Sequence, residues 1–419
     1  MANSADLMNK KSFTDSKALI ILLGALTAFD PLSIDMYLPA FSDLQTAFGT
    51  SFSNIELSVS TFFVGMAFGQ LFYGPLADRF GRKRPLIAGM ILYICASAGL
   101  AFASNIESFL ALRLLQAFGG CAGMVVTRAI VRDLFDKKRV AEFLSSMALI
   151  MGLAPILAPS MGAFVNHFFG WRVIFGSLAV ANILCLACII LFLPETNHKR
   201  SQSIDVLSTL KAYAGLMSSR KFVGFLIPDA AVRAGMFAYI AGSPFVFIQY
   251  FNVPQEYYGW IFGMNGVGLM AASQVNRRLL RRFEPDLILR WSVRFAALAA
   301  FFVFAGPFLS SAAVVTLIPI FCFLASLNFI GPNALAGALA TQGHQAGTAS
   351  ALYGCLQWSL ASGSAFLVSY FHNGTAMPMT GVILGCGLVS ALAFQFFIKD
   401  FHNIPKLDIP VPSEAEPGS

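Results

Sequence analysis

Long apolar runs alternate with short polar segments along almost the whole chain. Each run holds about 20 residues or more, the length that an α-helix needs to cross the hydrocarbon core of a bilayer. We therefore predict an all-α integral membrane protein with twelve transmembrane helices. The predicted spans lie near residues 18–40, 54–76, 85–104, 109–131, 141–165, 172–193, 222–250, 257–275, 287–309, 312–335, 347–371 and 379–398.

The longest internal polar stretch, residues 195–221, separates six predicted spans from six others. We predict an N-terminal six-helix bundle over residues 1–194, a cytoplasmic linker over 195–221, a C-terminal six-helix bundle over 222–398 and a cytoplasmic tail over 399–419. A weak internal repeat supports this division, because the second span of each predicted bundle ends in a strongly basic segment. Parallel six-helix repeats are one of the known plans of membrane transporters.

Lysine and arginine are concentrated in alternate loops, and among these loops only Arg172 breaks the pattern. Cytoplasmic loops carry an excess of these residues. We therefore expect both termini in the cytoplasm and the protein in the cell inner (cytoplasmic) membrane. The basic connections are residues 79–84, 132–139 and 277–282, whereas residues 41–53, 105–108, 251–256 and 372–378 contain neither lysine nor arginine.

The composition excludes several other classes of protein. With 57% apolar and 12% charged residues, the chain is not typical of a soluble domain, and the basic loops account for its net charge of +7 without a nucleic-acid partner. The seven cysteines lie inside apolar runs, so no disulfide framework is expected. The five histidines form no credible metal set, and no nucleophile or phosphate loop indicates an enzyme. We expect no metal and no cofactor.

The first apolar run contains two carboxylates, Asp30 and Asp35. An ionised aspartate at the centre of a spanning helix costs roughly 2.5 to 3.5 kcal/mol, so such an acid is a functional candidate. Five residues correspond to roughly 500° of helix rotation, or about 140° net, which predicts that the two acids occupy different faces. Pro31 between them favours a kink. The alternative is that either acid only bonds a neighbouring helix.

The loop after the second span reads Gly-Pro-Leu-Ala-Asp-Arg-Phe-Gly-Arg-Lys-Arg over residues 74–84 and resembles the loop motif of the major facilitator superfamily. In this motif we expect Gly74 to let two helices approach and Gly81 to permit a tight turn. Asp78 is placed to cap a helix end or bind basic groups of a neighbouring span. The predicted conformational gate consists of Gly74, Asp78, Arg79, Gly81 and Arg82; a basic turn that only obeys the topology rule is the alternative.

Two further stretches are similar to motifs of the same superfamily. Arg113, in Leu-Arg-Leu-Leu-Gln-Ala-Phe-Gly-Gly over 112–120, is expected to face a wet cavity or to pair with an acid such as Asp35, unless it extends to the outer headgroups. Residues 152–162 resemble the antiporter motif, whose small residues and prolines permit close packing and a fixed bend. The antiporter-motif residues are Gly152, Pro155, Pro159 and Gly162.

The chain is identified as a member of the bicyclomycin and chloramphenicol resistance branch of drug:proton antiporters by residues 31–40, 242–246 and 346–352. The resemblance implies twelve helices, alternating access and export of small amphipathic drugs against entry of protons. It also implies that Asp35 carries the main proton and substrate role, with Asp30 as a second carboxylate. The expected partners are a small-molecule drug, protons and the lipid bilayer, and we expect a monomer.

Coupling requires a carboxylate that holds either a proton or the substrate. Burial disfavours an ionised acid and a nearby arginine favours it, so we predict Asp35, Asp30 and Arg113 as the proton-coupling set. Soft and aromatic side chains suit apolar drugs, and amides can orient polar groups. The predicted substrate-binding residues are Asp35, Met36, Tyr37, Tyr239, Phe245, Asn265 and Asn333.

Two questions stay open at the level of sequence. Asp229 and Arg233, one helical turn apart, form either a structural pair, which we favour, or a second proton site. The same fold also serves exporters and symporters of specific metabolites such as sugars or amino acids. A membrane sensor without transport is less favoured, because the linker and the tail are both too short for a useful soluble domain.

Overall fold

The computed structural model describes residues 17–135, 137–197, 206–340 and 346–397, and these residues are almost entirely helical. The helices are α1 (Lys17–Asp35), α2 (Phe41–Phe48), α3 (Phe52–Phe80), α4 (Lys83–Ala101), α5 (Ile106–Leu134), α6 (Lys137–Phe169), α7 (Trp171–Phe192), α8 (Val206–Ser218), α9 (Arg220–Pro244), α10 (Gln255–Leu279), α11 (Pro285–Leu309), α12 (Ala313–Ala340), α13 (Ala346–Tyr370) and α14 (Met377–Phe397).

Twelve of the described helices are long, and they correspond one for one to the twelve predicted spans. Nine of the helices in the described ranges can cross a membrane on length and apolar composition alone. The other three long helices, α6, α10 and α13, have 33, 25 and 25 residues and pack within the same bundle. The prediction of an all-α membrane protein with twelve transmembrane helices is confirmed.

The first span is shorter than the sequence pattern predicts. Helix α1 ends at Asp35, and the chain then makes a turn and one short 3-10 turn over Leu38–Ala40 before α2 begins. Pro39 accompanies this break, because proline lacks the backbone N–H that would continue the helix. Asp35 is therefore the last residue of the helix and not an interior residue of a span to residue 40.

Close packing joins α1 to α6. A Cβ atom on Gly162 would overlap the backbone carbonyl of Met36, so the chain just after α1 rests directly on the glycine. The antiporter-motif helix also reaches the second half of the protein, where Ser160 and Ile156 of α6 contact glycines of α10. The prediction of close packing by this motif is confirmed at Gly162.

The two halves of the chain meet along two helix pairs, α3 with α13 and α6 with α10. Among the described residues, every hydrogen bond and ion pair between the halves lies near the end of the bundle that carries residues 36–53 and 369–376, which we call the neutral end. Ser53 donates to the carbonyl oxygen of Ser369, and Ser60 donates to that of Ser362. All four residues lie in the parts of α3 and α13 that are nearer to this end. The opposite end, called the basic end, carries the basic loops. The halves are therefore held together by polar contacts at the neutral end.

A buried polar contact between His372 and Glu56 strengthens this closure. His372 Nδ1 lies 3.1 Å from Oε2 of Glu56, whose side chain is buried, and the imidazole ring packs against the rings of Phe52 and Phe245. These rings pack beside the polar contact. The neutral end is thus joined by both polar and apolar contacts across the two halves.

The predicted linker is partly helical. Helix α8, over Val206–Ser218, packs against α9 and α13 of the second half, whereas residues 198–205 lie outside the described residues. The predicted tail over 399–419 also lies outside them. The boundaries of the two bundles stay a prediction from the sequence.

Candidate functional site

A cavity of about 650 Å³ lies between the two halves of the protein. Its volume falls in the range of roughly 300 to 1,000 Å³ that is typical of small-molecule sites. Apolar side chains such as Met236, Phe237 and Trp358 form much of its wall. The charged and polar side chains in the wall are Asp30, Asp35, Arg128, Asp229, Arg233, Tyr239, Asn265, Asn328, Ser350, Tyr353 and Gln357.

Asp30 and Asp35 both line this cavity, and each is only 3% exposed. Within the described part of the chain, neither carboxyl oxygen of Asp30 has a hydrogen-bond partner, and Oδ1 of Asp35 has none. The helix rotation placed the two acids on different faces, yet the cavity also touches Pro31 and Ile34 and so follows α1 around both faces. One helix therefore presents two unpartnered carboxyls to the same space.

Arg113 is not paired with Asp35, contrary to the sequence expectation. Its side chain is fully buried, and Nη1 donates to the Ser33 carbonyl oxygen at 3.0 Å and to Gln116 Oε1 at 2.6 Å. The guanidinium carbon lies 4.2 Å from the centre of the Tyr37 ring and 4.4 Å from that of Phe62. Cation–π contacts and the two bonds of Nη1 thus stand where an acid was expected, while Nε and Nη2 have no hydrogen-bond partner among the described residues.

Arg113 nevertheless touches the segment that ends in Asp35. It binds the backbone of Ser33, two residues earlier, and the ring of Tyr37, two residues later. These contacts fit a residue that positions the end of α1 without lining the cavity itself. Its predicted part in proton coupling stays a prediction.

Three of the seven predicted substrate-binding residues, Asp35, Tyr239 and Asn265, line the cavity, and Asn265 Nδ2 donates to the Tyr239 hydroxyl at 2.9 Å. The other four are not among the lining residues of this cavity. Met36 lies against Gly162, Tyr37 bonds Ser58, Phe245 packs on His372 at the neutral end, and Asn333 donates to Asn276 Oδ1 at 3.1 Å. Each of the four is buried within the helix packing instead.

Asp229 and Arg233 form an ion pair in the wall of the same cavity. Arg233 Nε lies 3.1 Å from each carboxylate oxygen of Asp229. From α13, Tyr353 donates to Asp229 Oδ2 at 2.8 Å and Gln357 at 2.6 Å. The carboxylate is thus held by three donors, unlike the carboxyls of α1. This geometry favours the structural reading of the pair, which joins α9 to α13.

Arg128 is a cavity residue that the sequence analysis missed. It lies on α5 inside the fourth predicted span, and its side chain is exposed to the cavity. Among the described residues it has neither a hydrogen bond nor an ion pair, and Asp30 is the acid that acts on it electrostatically. An arginine within an apolar run was the available signal, since such residues face a bundle interior or a cavity.

The predicted gate has Arg82 at its centre. Arg82 Nη1 donates to Asp78 Oδ1 at 2.5 Å, and Nε donates to Asp133 Oδ2 at 2.8 Å. Asp78 therefore binds the arginine of its own motif, and Asp133 on α5 provides the link to a neighbouring helix. Arg79 lies over the ring of Phe80, outside this cluster. The gating role itself stays a prediction.

The two gate glycines differ. Gly81 has φ of +89°, and a Cβ atom there would overlap the carboxylate of Glu195, so the tight turn is confirmed. Gly74 faces open space, which overturns the expectation that it lets two helices approach.

Glu195 binds the start of α4 and was not predicted from the sequence. Its carboxylate accepts from the backbone N–H of Arg82 at 2.7 Å and of Lys83 at 3.3 Å. Burial acts to raise the pKa of Glu195, but these backbone donors, together with those of Thr196 and Asn197, lower the pKa below its ordinary value. An anion at a helix N-terminus is also favoured by the helix dipole. Glu195 therefore links the end of the first half of the chain to the start of α4, beside the predicted gate residues.

The antiporter-motif residues have separate positions along α6. Pro155 lines the cavity, Pro159 is buried beside Ala158, and Gly162 packs on Met36. Gly152 lies within the helix, but its surroundings fall outside the described part of the structure. The motif therefore extends from the cavity wall toward the neutral end.

Comparisons with known proteins agree with the fold. The sequence profile of the Major Facilitator Superfamily matches residues 23–366. The chain belongs to the major facilitator superfamily. Because this family consists of transporters, the protein is a multi-pass membrane transporter and not an enzyme.

Relatives within the family carry names that refer to drug resistance. The chain is 30% identical to a bicyclomycin resistance protein homolog of Haemophilus influenzae, over 90% of this chain and 95% of the relative. It is 29% identical to a chloramphenicol resistance protein of Pseudomonas aeruginosa, over 91% and 94%. The crystal structure of a D-xylose-proton symporter aligns with a TM-score of 0.72 at 16% identity, over 91% of this chain and 96% of that one.

Removing the carboxylate of Asp229 should destabilise the protein. Asp229→Asn leaves Arg233 without its ionic partner, and we expect the free energy of unfolding to fall by about 2 kcal/mol. Arg233→Gln should have a similar effect, whereas the double variant should lose less than the sum of the two. Thermal unfolding of the purified protein in detergent measures all three, with the exposed Glu284→Gln as the control. A stable Asp229→Asn protein that cannot transport uphill would instead make Asp229 a proton site.

Proposed function

We propose that the protein is a proton-coupled multidrug exporter that moves small amphipathic antibiotics, similar to bicyclomycin or chloramphenicol, by alternating access. The observation that carries the proposal is the pair of buried, unpartnered carboxyls in a cavity between two six-helix halves. The names of the relatives support the substrate class. The proton gradient drives the cycle without a cofactor, and the protein acts as a monomer.

The position of the contacts between the halves supports alternating access. These contacts seal the neutral end beyond the cavity, whereas the described residues provide no polar bond between the halves at the basic end. The contacts at the neutral end support a cycle in which drug reaches the cavity from the basic end. Breaking the neutral-end contacts and closing the basic end would present the same cavity to the other side.

The chemistry of the wall favours amphipathic drugs over sugars or amino acids. A sugar site needs many polar groups aimed at the ligand, and a small amino acid needs its charges matched closely. Here apolar side chains occupy much of the wall, and the charges of Asp229 and Arg233 are already paired. The metabolite alternative therefore has less support.

Asp35 is the main coupling residue in this scheme. It lies at the end of α1, beside the turn that contacts α6 and α10, two helices that belong to different halves. A protonated Asp35 and an ionised Asp35 that binds drug exclude each other, so drug entering from one side displaces a proton that entered from the other. Asp30 lies five residues earlier on the same helix, and its protonation changes the charge of the wall.

The basic loops indicate the orientation of the protein. We infer that the basic end and both termini are cytoplasmic, so the neutral end faces outward and drug enters from the cytoplasm. A topology reporter fused after Arg84 or Arg282 should be cytoplasmic, and one fused after residue 47 or 253 should be external. A cytoplasmic signal from the fusion after residue 253 would contradict this orientation.

Asp35→Asn should uncouple transport, because it removes the titration while preserving the size of the side chain. In membrane vesicles, uphill export of chloramphenicol should fall to the level of vesicles without the protein, while downhill exchange should continue. Asp30→Asn should weaken the pH dependence of export without abolishing it. Glu107→Gln, which changes an exposed acid at the start of α5, is the control and should export normally.

The same vesicles identify the coupling residue if this choice is wrong. Uphill export by Asp35→Asn with normal proton movement would remove Asp35 from the mechanism. If Asp30→Asn or Asp229→Asn then fails, the coupling role belongs to that acid.

A further inference from the structure

Arg128 is a charged side chain in the cavity wall that the coupling scheme does not use. Its guanidinium is exposed to the cavity and has no hydrogen bond or ion pair within the described ranges. The other arginine of the wall, Arg233, has Asp229 as its ionic partner. Arg128 thus provides a fixed positive charge that remains available to whatever occupies the cavity.

The charge of the wall depends on Asp30, Asp35 and Arg128, because Asp229 and Arg233 cancel. The wall carries one positive charge when both acids of α1 are protonated and is neutral when one acid is ionised. It carries one negative charge when both are ionised. Uncompensated charge in an enclosed, largely apolar space is unfavourable, so each state of the wall fits an occupant of a particular charge.

An uncharged occupant fits the state with a single ionised acid. In that state Arg128 balances the acid, so one proton has been released and the occupied cavity is neutral. A lipophilic cation in the same state would leave one positive charge uncompensated. It is balanced only when both acids are ionised, which costs the release of a second proton from a buried carboxyl in the same apolar space. Without Arg128 the match is reversed, because the ionised acid would then be balanced by a cationic occupant.

We propose that Arg128 determines the charge class of the transported molecule, making an uncharged amphipathic compound the one that exchanges for a proton and excluding lipophilic cations. The exchange part of this proposal rests on the proposed proton-coupled function. The exclusion part concerns binding alone.

Arg113 is a further charged group beside α1, but it does not line the cavity and its charge is the same in every state of the wall. The titratable groups near the two acids leave this balance unchanged, because they are neutral in their ordinary states. Tyr93 on α4 and Cys121 on α5 lie near Asp30, and Tyr239 and Tyr258 lie near Asp35. Arg132 acts on Arg128 electrostatically but lies one turn closer to the basic end and does not line the cavity. Arg128 is therefore the one described wall residue whose charge lacks an ionic partner and does not depend on protonation near neutral pH.

The test compares an uncharged with a cationic probe. Binding of chloramphenicol and tetraphenylphosphonium to the purified full-length protein is measured near pH 7, and export of both is measured in vesicles. Arg128→Gln should bind tetraphenylphosphonium about tenfold or more tightly than the wild-type protein, the order of effect expected from one charge across such a cavity. It should also lose most uphill export of chloramphenicol. Arg128→Lys keeps the charge and should resemble the wild-type protein.

Arg132→Gln is the matched control, since it removes the same charge one turn along the same helix but outside the cavity wall. Equal affinity of the wild-type and Arg128→Gln proteins for tetraphenylphosphonium would overturn the proposal, and so would an equal gain in Arg132→Gln. If Arg128→Gln does not fold, wild-type protein that binds and exports the cation as well as chloramphenicol still overturns it. Failure of the wild-type protein to export chloramphenicol uphill would count against the proposed function, whereas the ratio of cation affinities would still test Arg128.

Discussion

The cost of placing a carboxyl group inside a membrane bundle is the constraint on which the rest of the structure depends. At Asp229 that cost is offset by Arg233, Tyr353 and Gln357, which together provide donors for the carboxylate. At Asp30 and Asp35 no comparable set of donors exists among the described residues. The cavity between the halves thus has one wall with a fixed charge pair and another whose charge can change with protons or ligand.

This asymmetry explains why close packing surrounds the wall formed by α1. Gly162 packs against the chain just after Asp35, and Arg113 contacts the same segment through Ser33 and Tyr37. Both contacts restrict the position of α1 without supplying a hydrogen bond to its acids. A carboxyl kept in place but left without a partner can respond to the contents of the cavity, which coupling requires.

The sequence was informative wherever a local pattern decides the structure. Twelve spans follow from apolar length, and Gly81 follows from the need for a tight turn. The end of α1 at Asp35 was missed because a run of apolar residues conceals the break at Pro39. Contacts between distant segments could not be predicted. The aromatic surroundings of Arg113 come from the turn after α1 and from two helices, α3 and α7, and Glu195 reaches the start of α4 from more than a hundred residues away. Arg128 was overlooked although it lies within an apolar run, because its place in the cavity wall without an ionic partner is visible only in the structure.

Proton release on drug binding is the most direct test of the exchange at α1. Chloramphenicol is added to the purified wild-type protein in weakly buffered detergent solution, and the pH change is recorded alongside an independent measurement of binding. The account predicts that binding releases protons, with an apparent pKa that belongs to the interacting groups together, and that Asp35→Asn binds the drug without release. Drug binding by the wild-type protein with no release of protons at any pH near neutrality would contradict the account.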